Sequence, residues 1–312
     1  MKLSLVMAVG ASLLVSSHAL GWNNRGHMMV AAVAWDQLDE ETQERATELL
    51  KLNPHYKMWI KGVAADERDK IAFVKAATWP DFIRGLVKDP DDKYEDDGSD
   101  PEASPVANQN IGYDDKNLHR YWHFADLPFT RDGTATMPPK APNAVTQIVK
   151  FRDTIASSTA SDELKSYDLA WVLHLVGDIH QPLHATARFS SLSPTGDRGG
   201  NDVKLCEKPC KNNLHSFWDA AGGTGNSPTA AIKAAEELAE ASSAEAAISD
   251  PQKWANESFE ISKASVYRSP IGASNGPFEI TDSYKKRARS IAEDRIALAG
   301  ARLAKLLTDF LK

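Results

Sequence analysis

Residues 171–184 read W-V-L-H-L-V-G-D-I-H-Q-P-L-H and place three histidines and an aspartate inside an otherwise apolar run. A polar side chain costs free energy in a protein interior unless it finds a partner there. His174 and Asp178 are four residues apart, so on a helix they share one face with about 5–6 Å between their Cβ atoms. That spacing allows both side chains to bind one metal ion. The stretch therefore predicts a buried helix that carries a polar site and ends near Pro182.

The same spacing recurs in N-L-H-S-F-W-D, which contains His215 and Asp219. Further candidates are Asp81 in W-P-D, His123 in Y-W-H-F-A-D and His27 in W-N-N-R-G-H. A single buried histidine is more often a hydrogen-bonded core residue than a ligand, and either aspartate alone could be an ordinary helix or capping residue. As a set, these residues are what a multinuclear zinc site with nitrogen and oxygen ligands requires, because zinc accepts both at about 2.0–2.2 Å.

Residues 1–21 are typical of a secretory signal peptide, because Lys2 gives a basic start, an apolar segment follows, and A-L-G supplies small residues before the cleavage point. A buried N-terminal helix is the alternative. The apolar segment is too short to span a membrane, and the sequence has no later run of 18 apolar residues. We therefore expect a secreted or periplasmic protein. Cleavage after Gly21 would free the amino group of Trp22 as a further ligand, whereas cleavage after Ala19 is the competing position.

The two cysteines could form a disulfide or bind a metal ion. Cys206 and Cys210 lie close together in C-E-K-P-C, and an exported chain meets an oxidising compartment, so we expect a local disulfide. A thiolate metal site is the alternative, but two thiolates leave a zinc site half filled.

The formal net charge is −7, and loss of Lys2 makes it one unit more negative. Such a chain needs a basic patch or metal ions to bind a polyanion.

Amphipathic patterns predict a mostly helical chain. Helical segments are expected over 28–38, 66–85, 142–159, 161–181, 228–244, 250–268 and 278–311. The one strand-like piece is G-G-N-D-V-K-L-C, which predicts half of a short β-hairpin near 199–212. Since no strand–helix alternation and no glycine-rich phosphate loop occur, we expect an all-α, single-domain, multi-helix bundle over residues 22–312.

Two charged segments have more than one interpretation. Residues 88–108 are acidic and interrupted by proline, which indicates a solvated loop. A calcium-binding loop is the alternative, although the ligand spacing does not match an EF-hand. K-K-R-A-R at 285–289 lies on the last predicted helix, where a solvated helix face is favoured over a nucleic-acid-binding patch.

Five motifs in fixed order resemble those of the S1/P1 nuclease family: W-N-N-R-G-H, W-x-D-x-x-R, H-F-x-D, H-x-x-x-D-x-x-Q-P-L-H and N-L-H-S-x-W-D. They extend from Trp22 to Asp219, and the helical remainder fits the same fold. The resemblance implies a secreted endonuclease with three zinc ions, which cleaves single-stranded DNA and RNA to 5′-phosphate products and also acts on 3′-nucleotides. It further implies the helical fold of the zinc-dependent phospholipases C. We expect a monomer without a stable protein partner.

The resemblance also implies which residues hold each zinc ion. The ligands, grouped by ion, are Asp81, His123, His174 and Asp178 for the first, Trp22 through its amino nitrogen and carbonyl oxygen with His27 and the bridging Asp178 for the second, and His184, His215 and Asp219 for the third. Two close zinc ions lower the pKa of water and so supply hydroxide near neutral pH.

The remaining implied roles concern catalysis and the substrate. Asp81, Arg84 and Asp178 are the catalytic set: Asp81 binds metal and orients the attacking water, and Arg84 contacts phosphate. Phe124 stacks on a base, and Asp126 hydrogen-bonds the edge of that base. A base stacked on an aromatic ring must be unpaired, which favours single strands.

Some features depart from the family pattern. His180 matches no ligand, and we expect it to be structural or to support a ligand. Asp81 and His123 are 42 residues apart, which is a longer gap than in the fungal members, and the acidic loop lies between them. The cysteine pair precedes His215 and could reshape the rim. Asn256 begins an N-x-S glycosylation sequon.

Two other functions are consistent with a metal-binding helical fold. A phospholipase C would have glutamate where Asp219 stands, and would not need Phe124 with Asp126. A non-catalytic secreted zinc-binding protein would be free to lose ligands, yet every implied ligand and Arg84 are present.

Overall fold

The computed structural model describes residues 21–101, 106–206 and 210–311, and most of these residues are helical. The proposed signal peptide lies outside the described residues except for Gly21. The helices are α1 (Asn24–Trp35), α2 (Glu40–Leu50), α3 (Tyr56–Trp59), α4 (Arg68–Ala76), α5 (Trp79–Phe82), α6 (Ala144–Ile155), α7 (Asp162–His180), α8 (Leu214–Asp219), α9 (Pro228–Glu236), α10 (Ser243–Ala246), α11 (Pro251–Ile261) and α12 (Asp282–Phe310). The strands are β1 (Leu127–Thr130), β2 (Thr186–Phe189), β3 (Lys204–Leu205) and β4 (Asn212–Asn213). The predicted all-α class is confirmed.

Helix α7 is the central element. Ser161 caps its start by accepting a hydrogen bond from the backbone N–H of Leu164. Its apolar side chains are buried among α1, α2, α6, α11 and α12. The helix ends at His180, before Pro182, because proline has no N–H to continue the hydrogen-bond pattern. Since the helix is covered by protein, its polar side chains must find their partners inside the protein.

A short parallel sheet, which the sequence pattern did not predict, joins β1 to β2 with Leu127 opposite Thr186. The backbone N–H of Ala125 extends this alignment by donating to the carbonyl oxygen of His184 at 2.7 Å. The sheet therefore holds the segment that contains His123 beside the segment that contains His184. Strands of four residues carry too little periodicity to be recognised from sequence.

The predicted hairpin is present but small, since β3 and β4 pair only two residues each in antiparallel register. Cys206 and Cys210 form the expected disulfide, and residues 207–209 between them lie outside the described residues. A second, smaller apolar core lies around this hairpin and supports α8. Its members include Leu183, Val203, Leu205, Leu214 and Trp218.

The prediction of one continuous helix over 66–85 is wrong. The structure has α4, then the one-turn helix α5, then a 3₁₀ segment over Ile83–Lys88. Pro80 lies in the first turn of α5, where its missing N–H is tolerated, so a new helix starts there instead of continuing α4. This restart places Asp81 within reach of His174 on α7.

Two other helical patterns are interrupted. Residues 228–244 form α9 and α10, and residues 250–268 form α11 followed by a π-helical turn over Ser262–Val266. Lys285, Lys286 and Arg289 of the basic segment are exposed on α12, which agrees with a solvated helix face. Among the described helices, none combines the length and the apolar composition that crossing a membrane requires.

Residues 88–108 are not the wholly solvated loop that their composition indicated. Tyr94 is fully buried in the main core. Asp97 is nearly buried and accepts a hydrogen bond from the hydroxyl of Tyr121 at 2.7 Å. Asp92, Asp96, Asp97 and Asp100 pair with side chains outside this segment, at Lys116, Arg120, Tyr121 and Lys140, which composition alone cannot reveal. Residues 102–105 lie outside the described residues.

Candidate metal centre

Asp178 is the centre of the first group of buried side chains. Its Oδ2 is 3.0 Å from Nδ1 of His123 and 3.1 Å from Nε2 of His174. Its Oδ1 is 3.3 Å from Nε2 of His27, which α1 supplies. None of these four side chains is more than 3% exposed. One carboxylate therefore faces three imidazoles from three separate segments.

Asp81 and Arg84 border this group. Oδ1 of Asp81 is 4.0 Å from Nε2 of His174, and Nη1 of Arg84 donates to the same Oδ1 at 3.2 Å. Two sets of three residues have all their ligand atoms within 4.8 Å of one another: Asp81 with His123 and His174, and His27 with His174 and Asp178. The two sets share His174, so two ions bound here would be neighbours.

A third group lies where the turn after α7 meets α8. Nε2 of His184 is 3.0 Å from Nε2 of His215, which is 3.5 Å from Oδ1 of Asp219. The side-chain amide of Gln181 donates to Oδ1 of Asp219 at 2.7 Å. The second H-x-x-x-D pair and the last histidine of Q-P-L-H therefore come together at one point.

The hydrogen bonds of two of these histidines orient their rings toward one another. His184 and His215 donate from Nδ1 to the carbonyl oxygens of His123 and Gly199, and their Nε2 atoms face each other at 3.0 Å. With Asp219 they place three ligand atoms within 4.8 Å of one another, which is an arrangement that one metal ion can bind. Among the described residues, the first group also has buried atoms without a hydrogen-bond partner: both ring nitrogens of His27, Oδ2 of Asp81, Nε2 of His123 and Oδ1 of Asp178. This set of nitrogen and oxygen donors fits zinc.

Burial controls the protonation of several of these groups. It lowers the pKa of His123 to about 4 and also lowers the pKa of His27, so both rings are neutral near pH 7. Burial opposes ionisation of Asp178, but its histidine neighbours, His174 foremost, outweigh it and hold the pKa of that carboxyl well below its usual range. Neutral imidazole and ionised carboxylate are the forms that bind metal. Burial raises the pKa of Asp219 well above its usual range, an effect that a bound cation would oppose.

The backbone before Trp22 lies directly against the Asp178 group. Trp22 itself is fully buried. A Cβ atom added to Gly21 would lie 1.5 Å from Oδ1 of Asp178 and 2.9 Å from Nε2 of His27. Only a residue without a side chain fits at that point, and the main chain of residues 21 and 22 is therefore within reach of the proposed second ion.

A cleft of about 140 Å³, here called the metal cleft, opens from these groups to the surface. Its lining includes Arg84, His123, Phe124, Asp126, His184 and His215. Removal of the Asp126 carboxyl from water raises its pKa to about 7, an effect that Asp197 strengthens and Arg198 opposes. The cleft thus combines the candidate ligands with the arginine, the aromatic ring and the acid that the sequence motifs contain.

His180 lies apart from the ligand groups. Its Nδ1 donates to the carbonyl oxygen of Val176 at 2.7 Å, and its Nε2 accepts a hydrogen bond from Arg302 at 2.9 Å. Both ring nitrogens therefore have partners, and the side chain joins α7 to α12. These contacts support the structural role expected for His180.

Comparison with known proteins gives the family. Residues 22–312 match the family model described as S1/P1 Nuclease. The chain belongs to the S1/P1 nuclease family. It is 26% identical to Nuclease S1 of Aspergillus oryzae over 228 residues, which is 68% of this chain and 60% of that protein. It is 38% identical to Endonuclease 2 of Arabidopsis thaliana over 78 residues, which is 25% of this chain and 24% of that protein. It is 25% identical to Endonuclease 3 of the same plant over 213 residues, which is 64% of this chain and 54% of that protein. The chain therefore covers less than two thirds of the length of each of these relatives.

In this S1/P1 nuclease family member, two glycines position ligands that the motifs contain but do not explain. A Cβ at Gly177 would lie 2.9 Å from Nδ1 of His27, so only glycine lets the ring of His27 pack on α7. Gly199 has φ 59° and its Cβ would lie 2.6 Å from the carbonyl oxygen of Leu183. Its own carbonyl oxygen accepts the hydrogen bond that orients His215. The sequence analysis did not assign these roles, although an unexplained helical glycine and a Gly-Gly pair were visible.

Proposed function

We propose that this S1/P1 family member is a zinc-dependent endonuclease that cleaves single-stranded DNA and RNA to 5′-phosphate products and also hydrolyses 3′-nucleotides. The observation that carries the proposal is that three groups of buried His and Asp side chains each bring their ligand atoms within 4.8 Å of one another. Two of these groups reach the metal cleft, one through His123 and the other through His184 and His215. We further propose that the protein is an exported monomer with one catalytic domain, residues 22–312, formed after residues 1–21 are removed.

The proposal assigns three zinc ions to the three ligand groups. The residues that would hold them are Asp81, His123, His174 and Asp178, then Trp22, His27 and Asp178, and finally His184, His215 and Asp219. When bound, zinc ions supply Lewis acidity, lower the pKa of water and neutralise phosphate charge.

The residues of the chain itself position the reactants. Oδ2 of Asp81 is buried and has no hydrogen-bond partner among the described residues, so it can accept a hydrogen bond from the attacking water and orient it. Arg84 lines the metal cleft, where its guanidinium can bind two phosphate oxygens at once. This contact would also stabilise the charge that develops on phosphate and on the departing 3′-oxygen.

The position of Phe124 supports a preference for single strands. Its half-buried ring lines the metal cleft, so a base can stack on it only when the face of that base is free. A duplex covers both faces of each base, whereas an unpaired nucleotide exposes them. Asp126 lies next to the ring in the same cleft and can hydrogen-bond the edge of the stacked base.

The experiment that tests the proposal is turnover of single-stranded DNA by purified protein that begins at Trp22. We expect cleavage that a chelator abolishes and added zinc restores, with phosphate on the 5′ ends of the products. A synthetic 3′-nucleotide assayed in parallel tests the second activity. If zinc-loaded protein cleaves neither substrate, the proposed function is wrong, and turnover of phosphatidylcholine would then favour a phospholipase C.

Base preference should depend on pH through Asp126. Below its pKa of about 7 the carboxyl is protonated and can donate a hydrogen bond, and above that value it only accepts. Guanine presents two N–H donors on its pairing edge, while adenine presents one donor and one acceptor. We therefore expect the ratio of guanine to adenine dinucleotide cleavage to rise about tenfold as pH increases through 7. Competitive cleavage of the two dinucleotides measures this ratio.

Asp126→Asn is the control for that measurement, because an amide does not titrate. Its ratio of guanine to adenine cleavage should stay constant over the same pH range. A pH-independent ratio in the unmodified protein would contradict the assignment, and so would a variant that keeps the rise.

A further inference from the structure

Two arginines of the metal cleft have no role in the function proposed so far. Arg120 begins the 3₁₀ turn that ends at His123, and Arg198 precedes Gly199 in the loop after β2. Both line the metal cleft together with Phe124. They come from segments far apart in sequence, and the fold brings them into one cleft with the ring of Phe124.

The contacts of the two guanidinium groups leave donors available. Arg198 is exposed, and within the described residues its side chain makes no hydrogen bond or ion pair. Arg120 is only 16% exposed, and one of its terminal nitrogens lies 2.6 Å from Asp96. Its Nε is buried and has no hydrogen-bond partner among the described residues. A buried, unpaired donor is costly unless a ligand satisfies it.

The acidic segment 88–108 gives Arg120 its orientation. Asp96 belongs to this segment, and Ser99 of the same segment lines the metal cleft. The segment that lengthens the gap between Asp81 and His123 therefore lines part of the metal cleft, and its Asp96 orients the guanidinium of Arg120 there. The insertion that departs from the family pattern thus contributes to the cleft.

Three of the residues that line the metal cleft are arginines, namely Arg84, Arg120 and Arg198. Burial lowers the pKa of Arg120, Asp96 and Asp97 oppose that effect, and Arg84 and Arg198 add to it, so both of these arginines lie within electrostatic range of Arg120. The whole chain carries a net charge of −7. Asp81 and Asp96 each offset one arginine, whereas Arg198 has no such partner among the described residues, so the arrangement favours an anionic ligand that contacts Arg198 together with a second arginine.

We infer that Arg120 and Arg198 form a second phosphate subsite, which binds the 5′-phosphate of the nucleotide whose base lies against Phe124. This inference rests on the proposed function, in which zinc and Arg84 bind the phosphate that is cleaved. Endonuclease and 3′-nucleotidase activities share one feature, a nucleoside on the 3′-oxygen side of that phosphate. The other phosphate on the same sugar is the 5′-phosphate.

A second cavity beside the metal cleft can hold the nucleotide strand that carries this phosphate. A second cavity of about 440 Å³ continues from the metal cleft, and the two cavities share Phe124, Asp126 and Arg198. Its far wall includes Lys140 and Pro142. Arg198 lines both cavities, so it can contact a strand that runs from the stacked base into the second cavity. A guanidinium suits this position because it binds phosphate oxygens through two parallel N–H groups.

The test compares two thymidine dinucleotides that differ only in a 5′-phosphate, TpT and pTpT. The unmodified, zinc-loaded protein should cleave pTpT about tenfold more efficiently, because one charge-assisted contact changes affinity by about that factor. Arg198→Gln should remove this preference, so that the variant cleaves TpT and pTpT with equal efficiency. Arg198→Lys keeps the charge and should restore part of the preference. Arg289→Gln, an equal loss of charge on the exposed face of α12, is the matched control and should behave like the unmodified protein.

The salt dependence of kcat/KM with longer substrates tests the subsite independently. Each lost phosphate contact on a single strand reduces the slope of log(kcat/KM) against log[salt] by about 0.7. Arg198→Gln should show this reduction on oligothymidylate, and Arg289→Gln should not. Equal losses on TpT and pTpT, or an unchanged preference and salt slope, would overturn the subsite. If the dinucleotides are too short to be cut, the salt slope alone decides. Failure of the zinc-loaded unmodified protein to cleave any substrate would instead refute the proposed function.

Discussion

Asp178→Asn is expected to reduce bound zinc from three ions to one and to lower turnover of single-stranded DNA by more than about 10³-fold, since losing even one preorganised donor can cost that much. The substitution keeps the size of the side chain but removes its charge. Asp178 is fully buried, and its two oxygens face His123, His174 and His27 at 3.0–3.3 Å. An amide cannot bridge two cations as a carboxylate does, so both ions of the first group should be lost. The third group, which includes His215, should keep its ion.

Asp168→Asn is the matched control for this variant. Asp168 lies on the same helix, is fully buried and accepts a hydrogen bond from Asn110 at 2.9 Å. Burial raises its pKa to about 7, so a neutral amide resembles a form that it already populates. Metal content by mass spectrometry and thermal unfolding should be close to those of the unmodified protein. An Asp178→Asn protein that is folded and retains three zinc ions and full turnover would show that the bridging assignment is wrong.

The parts of the site that lie within one element could be predicted from sequence. The spacing of His174 and Asp178 requires only a helix, and the apolar residues around them indicate that the helix is buried. The same holds for His215 and Asp219 on α8. In each case the structure has the helix and brings the pair together, because a four-residue separation on a helix fixes the distance between two side chains.

The relation between segments could not be predicted from local pattern. His123 lies beside His184 because β1 and β2 pair in parallel, and neither four-residue strand is recognisable from its own residues. The acidic segment gives a second example. Its composition indicated solvent exposure, yet Tyr94 is buried and Asp96 pairs with Arg120, a partner that only the folded chain supplies. The periodicity of the sequence does not indicate which residues bind the same ion, and that grouping is implied by the resemblance to the family.

Together, these contacts show why an acidic protein can present a cationic cleft. Asp96 and Asp97 of segment 88–108 are paired, the first with Arg120 and the second with Tyr121. Their effect is to fix the wall that carries Arg120. Loss of the Asp96 carboxylate should therefore affect the direction of Arg120 more than the charge of the cleft.

The position of the first residue of the mature chain should matter as much as any ligand side chain. A chain that begins at Trp22 is expected to bind three zinc ions, whereas one that begins at Leu20, the alternative cleavage product, should bind two and lose more than about 10²-fold in turnover. The reason is chemical and steric. The lone pair of an amide nitrogen is delocalised into the carbonyl group and does not bind a metal ion as a free amine does. The backbone at Gly21 also approaches Asp178 so closely that no side chain fits there.

This prediction can be tested with a fusion whose protease leaves no extra residue, so that chains starting at Leu20, Gly21 and Trp22 differ in nothing else. Zinc content, thermal stability and turnover are measured for each. A two-residue extension after Lys312 is the control for added length and should change none of them. If the chain that starts at Leu20 holds three ions and cleaves DNA at the full rate, the amino group of Trp22 is not a ligand. The second ion would then depend on His27 and Asp178 alone, and Asp178→Asn would still be expected to release it.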